Sequence, residues 1–195
     1  MARKAFFSFH YERDAWRAAN VRNSGILSKD DEYGFIDAVD WEKIEREGDA
    51  AIKRWIRDQL KNTTVTVVLI GTETASREWV RYEICESWKR GNAIVGVRIH
   101  GIKDQESKTD SFGVNPLDVV KFEDGTTLST VCKTYDWVAD RGREHLGEWL
   151  EEAVQARQNM DEDKLVEEVA QKSMARATVL REPSIIRNPP KPWAR

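Results

Sequence analysis

Short apolar runs alternating with helix-length segments are the feature that most constrains this chain. Ala5–Phe9 is apolar and aromatic, Phe35–Val39 is a second run, and Thr64–Ile70 (Thr-Val-Thr-Val-Val-Leu-Ile) is rich in β-branched residues. Ala93–His100 is a fourth run, and Thr130–Trp137 reads as a fifth strand. Such runs fit buried strands. Between them lie amphipathic segments. Asp14–Asn23 predicts one helix. Asp49 stands as the cap of another, in which Ile52, Trp55, Ile56 and Leu60 recur at helical spacing. Ser76 is the expected cap of a third, stopped by Gly91-Asn92 in the left-handed manner, and Glu144–Arg157 predicts the last. Strands separated by helices give βαβ units and a parallel sheet. The expected fold is α/β and doubly wound, flavodoxin-like, with five mainly parallel strands and helices on both faces. Gly101–Ser129 reads as an ordered but irregular excursion.

The domain is expected to span residues 1–158. Residues 159–195 form an extension, with a charged helix candidate at Asp161–Met174 and a tail holding Pro183, Pro189, Pro190 and Pro192. An apolar content of 40% excludes global disorder. The 31 basic and 34 acidic residues leave a net charge of −3, which argues against a protein held to nucleic acid by phosphate neutralisation. No apolar run approaches a membrane span. Two cysteines without a CxxC and three histidines without ligand spacing give no disulfide framework and no metal site. The expectation is a soluble, cytoplasmic protein with no nucleic-acid or membrane partner.

Ligands of open parallel sheets sit beyond the carboxyl ends of the strands, which directs attention to residues 8–14, 37–48 and 71–83. No GxGxxG or GxxxxGK[ST] follows the first strand, so a dinucleotide cradle and a P-loop are absent. The helix after the third strand is more informative. At about 100° per residue, Val80, Ile84 and Trp88 form its buried stripe. Glu83 lies about 60° from Val80, one turn from Trp79, as a boundary carboxylate half out of water. Glu86 has Lys89 and Arg90 as helical neighbours, whereas Glu83 has no basic residue at those offsets. Partial burial and the like charge of Glu86 would both raise its pKa. Periodicity is equally met by a solvated helix-edge glutamate beside a core tryptophan. Trp55 and Trp88 read as packing, Trp41 and Trp79 as better site candidates. Asp37 reads as either a strand-end polar residue or a hydroxyl-binding carboxylate, and Cys85, on the polar side, has nothing to mark it as a nucleophile.

Lys4-Ala-Phe-Phe-Ser-Phe-His10 resembles the first box of TIR (Toll/interleukin-1 receptor) domains, and Phe35-Ile-Asp37 with Trp41–Gly48 resembles their second strand and cleft loop. Trp79-Val-Arg-Tyr-Glu83 matches the W-x-x-x-E signature of enzymatic TIR helices. The runs Phe-Phe-Ser-Phe-His-Tyr-Glu-Arg-Asp and Gly-Asp-Ala-Ala-Ile-Lys-Arg-Trp-Ile are similar to the ThsB-type TIR-like proteins of bacterial Thoeris anti-phage defence. The segments Asn23–Glu32 and Gly101–Ser129 depart from a minimal TIR domain.

The resemblance implies an NAD-cleaving enzyme, NAD being substrate and no cofactor or metal being required. It would release nicotinamide and make a cyclic ADP-ribose-type signal that reaches a separate effector. It further implies a homo-oligomer when active and a phage-protein trigger. Glu83 would be catalytic, with Ser8, Phe9, His10, Asp37, Trp41 and Trp79 contacting substrate. A non-catalytic TIR-like scaffold that acts by protein–protein assembly is the competing reading.

Overall fold

Backbone pairing in a computed structural model, which describes residues 4–24, 44 and 46–160, joins four strands into one parallel sheet. They are β1 (Ala5–Ser8), β2 (Val65–Ile70), β3 (Ala93–Arg98) and β4 (Thr134–Asp136), side by side in that order. The register sets Ala5 against Val65, Val65 against Ala93, and Gly96 against Thr134. Five strands were expected; the described residues supply four, and the run at 35–39 lies outside them. The helices are α1 (Tyr11–Arg22), α2 (Asp49–Gln59), α3 (Glu78–Lys89), the short α4 (Pro116–Val119) and α5 (Gly142–Asn159). The helix expected at 161–174 and the proline-bearing tail also lie outside the described residues.

Strand periodicity divides the core. Ala5 and Phe7, Val65, Val67 and Leu69, and Val95 and Val97 face α1 and α5, meeting Ala18, Val21, Leu146, Trp149 and Leu150. Val68, Ile70 and Ile94 face the other way and meet Val80, Ile84, Cys85 and Trp88 of α3. Phe6 on that side packs with Ile52 and Ile56 of α2 and with Tyr82. The result is helix–sheet–helix layering around strands buried on both faces, for which near-continuous apolar runs are required.

Several boundaries differ from expectation for local reasons. The first helix begins at Tyr11, because extended His10 occupies its N-cap and its carbonyl already accepts from the Asp14 amide. Gly48, not Asp49, is the N-cap of α2, and its φ of 88° suits glycine. Ser76 ends a 3-10 turn, and Arg77 holds the N-cap of α3 without a side-chain capping bond. Only Thr134–Asp136 of the expected fifth strand pairs with β3. Cys85 is buried in the α3 core cluster and does not lie on a polar face.

The 101–129 stretch is built from tight turns. It carries α4, capped where Asn115 Oδ1 accepts from the Leu117 amide at 3.0 Å, and it buries Leu117, Val120 and Leu128. Its first half folds back over the carboxyl ends of the strands. Thr72 Oγ1 donates to the Ser111 carbonyl at 2.6 Å, and Arg98 Nη1 donates to that of Gly113 at 2.8 Å. Gly113 is required here: a Cβ would stand 2.1 Å from the Gly71 carbonyl.

Candidate active site at the carboxyl end of the sheet

Ser8 ends β1 and, by period-2 alternation, shares a face with Phe6 rather than with Phe7. Its Oγ donates to Glu83 Oε2 on α3 at 2.5 Å, and the Ser8 side chain is 1% exposed. The sequence reading makes Ser8 a substrate contact; the structure commits its hydroxyl proton to the acid.

Glu83 is deeper than a boundary position. It is 7% exposed, between Tyr82 and Ile84, which are both buried. The helix stripe alone could not show this, because the hydroxyl that meets the acid comes from the end of β1. Burial pushes the carboxyl up to about 8, and the Ser8 hydrogen bond works against it. No charged neighbour contributes. Glu86, expected to act as a like charge, is drawn away: it lies 3.5 Å from Arg57 of α2 and 3.2 Å from Lys89. Among the described residues Glu83 has one polar partner, a hydroxyl, and no cation.

His10 follows Ser8 by two residues. It is 6% exposed, and neither ring nitrogen has a hydrogen-bond partner; Glu12 Oε2 stands 4.0 Å away. Burial first, then the Arg77 guanidinium, hold its pKa down at about 4; Glu73 works against this and Arg13 adds to it. Arg77 and Glu73 belong to the turn between β2 and α3, which Thr74 fastens by accepting the Gly71 amide at 2.8 Å. Glu73 takes Arg13 on Oε1 at 2.7 Å and Arg77 on Oε2 at 2.6 Å. These three charged residues escape a reading based on spacing. The available signal was an arginine at a helix N-cap, where Ser, Thr, Asp or Asn is usual.

The other predicted residues divide. Trp79 lies one turn before Glu83, half-buried, its ring edge-on to Tyr82 at 6.0 Å. Phe9 packs against the α1/α5 core on the opposite side of the sheet, and the structure does not bring it onto the face shared by Ser8 and Glu83. Asp37 and Trp41 lie outside the described residues. Among the described residues no group of three or more His, Cys, Asp or Glu is placed to hold a metal ion, and no helix is long and apolar enough to cross a membrane.

A dry acid held by one hydroxyl, with an aromatic one turn away, can steady positive charge or take a proton, and it is poorly suited to act as a salt bridge. Comparison with known proteins meets this site from the sequence side. Residues 6–104, which contain Ser8, His10, Arg77 and Glu83, match the family model described as Thoeris protein ThsB, TIR-like domain. A relative from Bacillus cereus (strain MSX-D12), named "Putative cyclic ADP-D-ribose synthase ThsB1", is 34% identical over 77% of this chain and the whole of its own length. With the strand carrying Ser8 and the helix carrying Glu83 both inside the matched region, the chain belongs to the TIR-like ThsB family of Thoeris proteins.

Proposed function

We propose that this protein cleaves the bond between nicotinamide and ribose in NAD and closes the remainder into a cyclic ADP-ribose-type signal for antiviral defence. The observation that carries the reading is Glu83: a buried carboxyl that, among the described residues, has one hydroxyl partner and no cation. The name of the Bacillus cereus relative, which describes cyclic ADP-D-ribose synthesis, supports the same chemistry.

The leaving group is already cationic, so the C1′–N bond breaks with its electron pair moving to the ring nitrogen, and neutral nicotinamide departs. The ribose is left with oxocarbenium character. A carboxylate in a dry site stabilises that charge far more than it would in water. Burial favours the protonated form of Glu83 in the free protein; the pyridinium of bound substrate favours its ionised form, so binding favours loss of that proton. Ser8 fixes the acceptor oxygen. Trp79 offers an indole face for the cationic ring. Exclusion of water then favours attack from the adenosine half of the same molecule, and where that nucleophile is a hydroxyl its proton passes to Glu83.

The test is chromatography of nicotinamide and nucleotide products after incubation with NAD, for the wild-type chain and Glu83→Gln. Nicotinamide together with a cyclic nucleotide from the wild type alone is the expected result. Release of nicotinamide at equal rates by both proteins overturns the assignment. The absence of turnover, with phage-dependent assembly retained, favours a scaffold.

A further inference from the structure

Phe112, in the excursion after β3, is 66% exposed, yet its backbone and one face of its ring are held in place. The carbonyls on either side of it are both taken. That of Ser111 accepts from Thr72 Oγ1 at 2.6 Å, and that of Gly113 from Arg98 Nη1 at 2.8 Å. Gly113 lies so close to Gly71 and Thr72 that a Cβ there would overlap their backbone. The Arg98 guanidinium stands over the Phe112 ring, 3.7 Å from its centroid. The His100 ring is set nearly perpendicular to it, with centroids 5.1 Å apart. A cation therefore backs one face, and the exposure of the residue falls on what remains of the ring. The result is a flat apolar surface on a fixed mount.

The sheet register relates this surface to the acid. Ser8 pairs with Val68, Val68 with Gly96, and Ile70 with Arg98. Partners across a ladder point to one face, so Arg98 is on the side of Ser8, Val68 and Ile70, which is the side of α3. Arg98 stands two strands over from Ser8 and two residues nearer the carboxyl edge, about 12 Å away between Cα positions. Ser8 in turn donates to Glu83. Ring and acid thus share the edge at which open parallel sheets hold their ligands. A dinucleotide with its nicotinamide ribose at Glu83 has a diphosphate and a second ribose with which to cross that gap, and it ends in a flat purine. We propose that Phe112 is the adenine-stacking platform of this protein, its outward face taking the base of the dinucleotide substrate. This rests on the NAD-cleavage reading of Glu83. Stacking suits the place: it needs a π-face and no partner charge, and a ring already held loses little freedom when the base arrives.

Calorimetric titration of the full-length protein with ADP-ribose tests the platform, with ribose 5-phosphate as the probe that lacks the base. Phe112→Ala should weaken ADP-ribose at least tenfold, as removal of a stacking ring does, and leave ribose 5-phosphate unchanged. Phe112→Trp keeps a π-face and should retain most of the affinity. Phe112→Leu keeps apolar bulk alone and should not. In turnover, Phe112→Ala should raise KM for NAD and leave that for nicotinamide mononucleotide, which has no adenine, where it was. Absence of ADP-ribose binding by the wild type, equal affinity for wild type and Phe112→Ala, or an equal loss for both probes overturns the platform; nicotinamide release from NAD then leaves the cleavage reading standing. A Phe112-dependent affinity for ADP-ribose in a protein that releases no nicotinamide supports the platform and overturns the cleavage reading. A changed association state of Phe112→Ala in light scattering, with ADP-ribose affinity retained, assigns the ring to a contact between copies and overturns the proposal.

Discussion

Two carboxylates at the carboxyl end of the sheet are treated in opposite ways. Asp110, in the excursion after β3, takes two donors from Arg13, and the amide of Ser111 adds a third; these hold it well below the usual carboxylate range. Among the described residues Glu83 has one hydroxyl and no cation, and burial pushes it up to about 8. Asp110 is satisfied in the folded protein and has nothing left to give. Glu83 remains unsatisfied until something cationic arrives. The difference separates a latch from a site: a saturated ion pair stabilises architecture, and an isolated acid is free to interact with substrate.

The sharpest way to break this contrast is Glu83→Gln. The variant keeps the volume and the Ser8 contact, and should lose on the order of 10²–10³-fold in nicotinamide release. Its stability should also lose a pH dependence that the wild type carries. A folded-state pKa raised from 4.5 to about 8 means the folded protein holds a proton that the unfolded chain has lost. Wild-type stability therefore falls as pH rises through that window, by at most about 1.4 kcal/mol per unit. Glu83→Gln lacks this slope, and urea unfolding at pH 5, 7 and 9 should show the two lines converging or crossing. Parallel lines would mean that Glu83 ionises in the folded state as readily as in water.

Next in size is the buried pair that anchors the excursion to α1. Asp14 is fully buried with no hydrogen bond to either oxygen, pressed against Gly71, and Arg17 Nη1 lies 3.7 Å away. Arg17 also donates to the carbonyls of Ile102 at 2.9 Å and Lys108 at 3.3 Å. Arg17→Met keeps the packing and removes the charge, and should cost about 3 kcal/mol at pH 8. Burial already pushes Asp14 up to about 6. The variant should therefore regain stability on acidification to pH 5, where Asp14 is protonated. A loss independent of pH would show that the lost carbonyl contacts, and not the stranded carboxylate, set the cost.

Ser8→Ala sharpens the comparison from the other side. It removes the hydroxyl that works against the burial of Glu83, so the ionised form becomes harder to reach. The limb of kcat/KM that rises with pH should move up by about one unit, giving about tenfold less activity at pH 7 and near-recovery at high pH. A uniform loss at every pH would place Ser8 in substrate contact, as the sequence reading has it.

The isolation of Glu83 was legible because helical spacing is arithmetic: no lysine or arginine stands three or four residues away in either direction. Its depth was not, since the hydroxyl it meets is that of Ser8, the last residue of β1 and far away in the chain. For the same reason Glu86 was misjudged; its partner Arg57 is on another helix. The strands and the Val80–Ile84–Trp88 stripe followed from apolar period, which burial on both faces enforces. The caps did not, because Gly48 and Arg77 replace the side-chain caps that Asp49 and Ser76 were expected to supply. Phe9 is a substrate contact only by resemblance; in the fold it packs against the α1/α5 core, because alternation along β1 puts it on the face of Phe7.

The smallest effect is expected where the carboxylate is best satisfied. Asp110→Asn removes the paired acceptor of Arg13, which is itself 39% exposed, so solvent screens much of the gain and the cost should be about 1 kcal/mol at neutral pH. The sign with pH is opposite to that of Glu83. A depressed folded-state pKa contributes stability above the unfolded value, near 4, and that contribution is lost as pH falls toward the folded value. Wild type and Asp110→Asn should therefore differ at pH 7 and draw together in acid denaturation below about pH 3. Because Arg13 braces Glu73 as well as Asp110, the variant also asks whether the latch and the site are separate. Unchanged nicotinamide release by the variant would show that latch and site are separate, and a loss would join the 101–113 stretch to the site through Arg13.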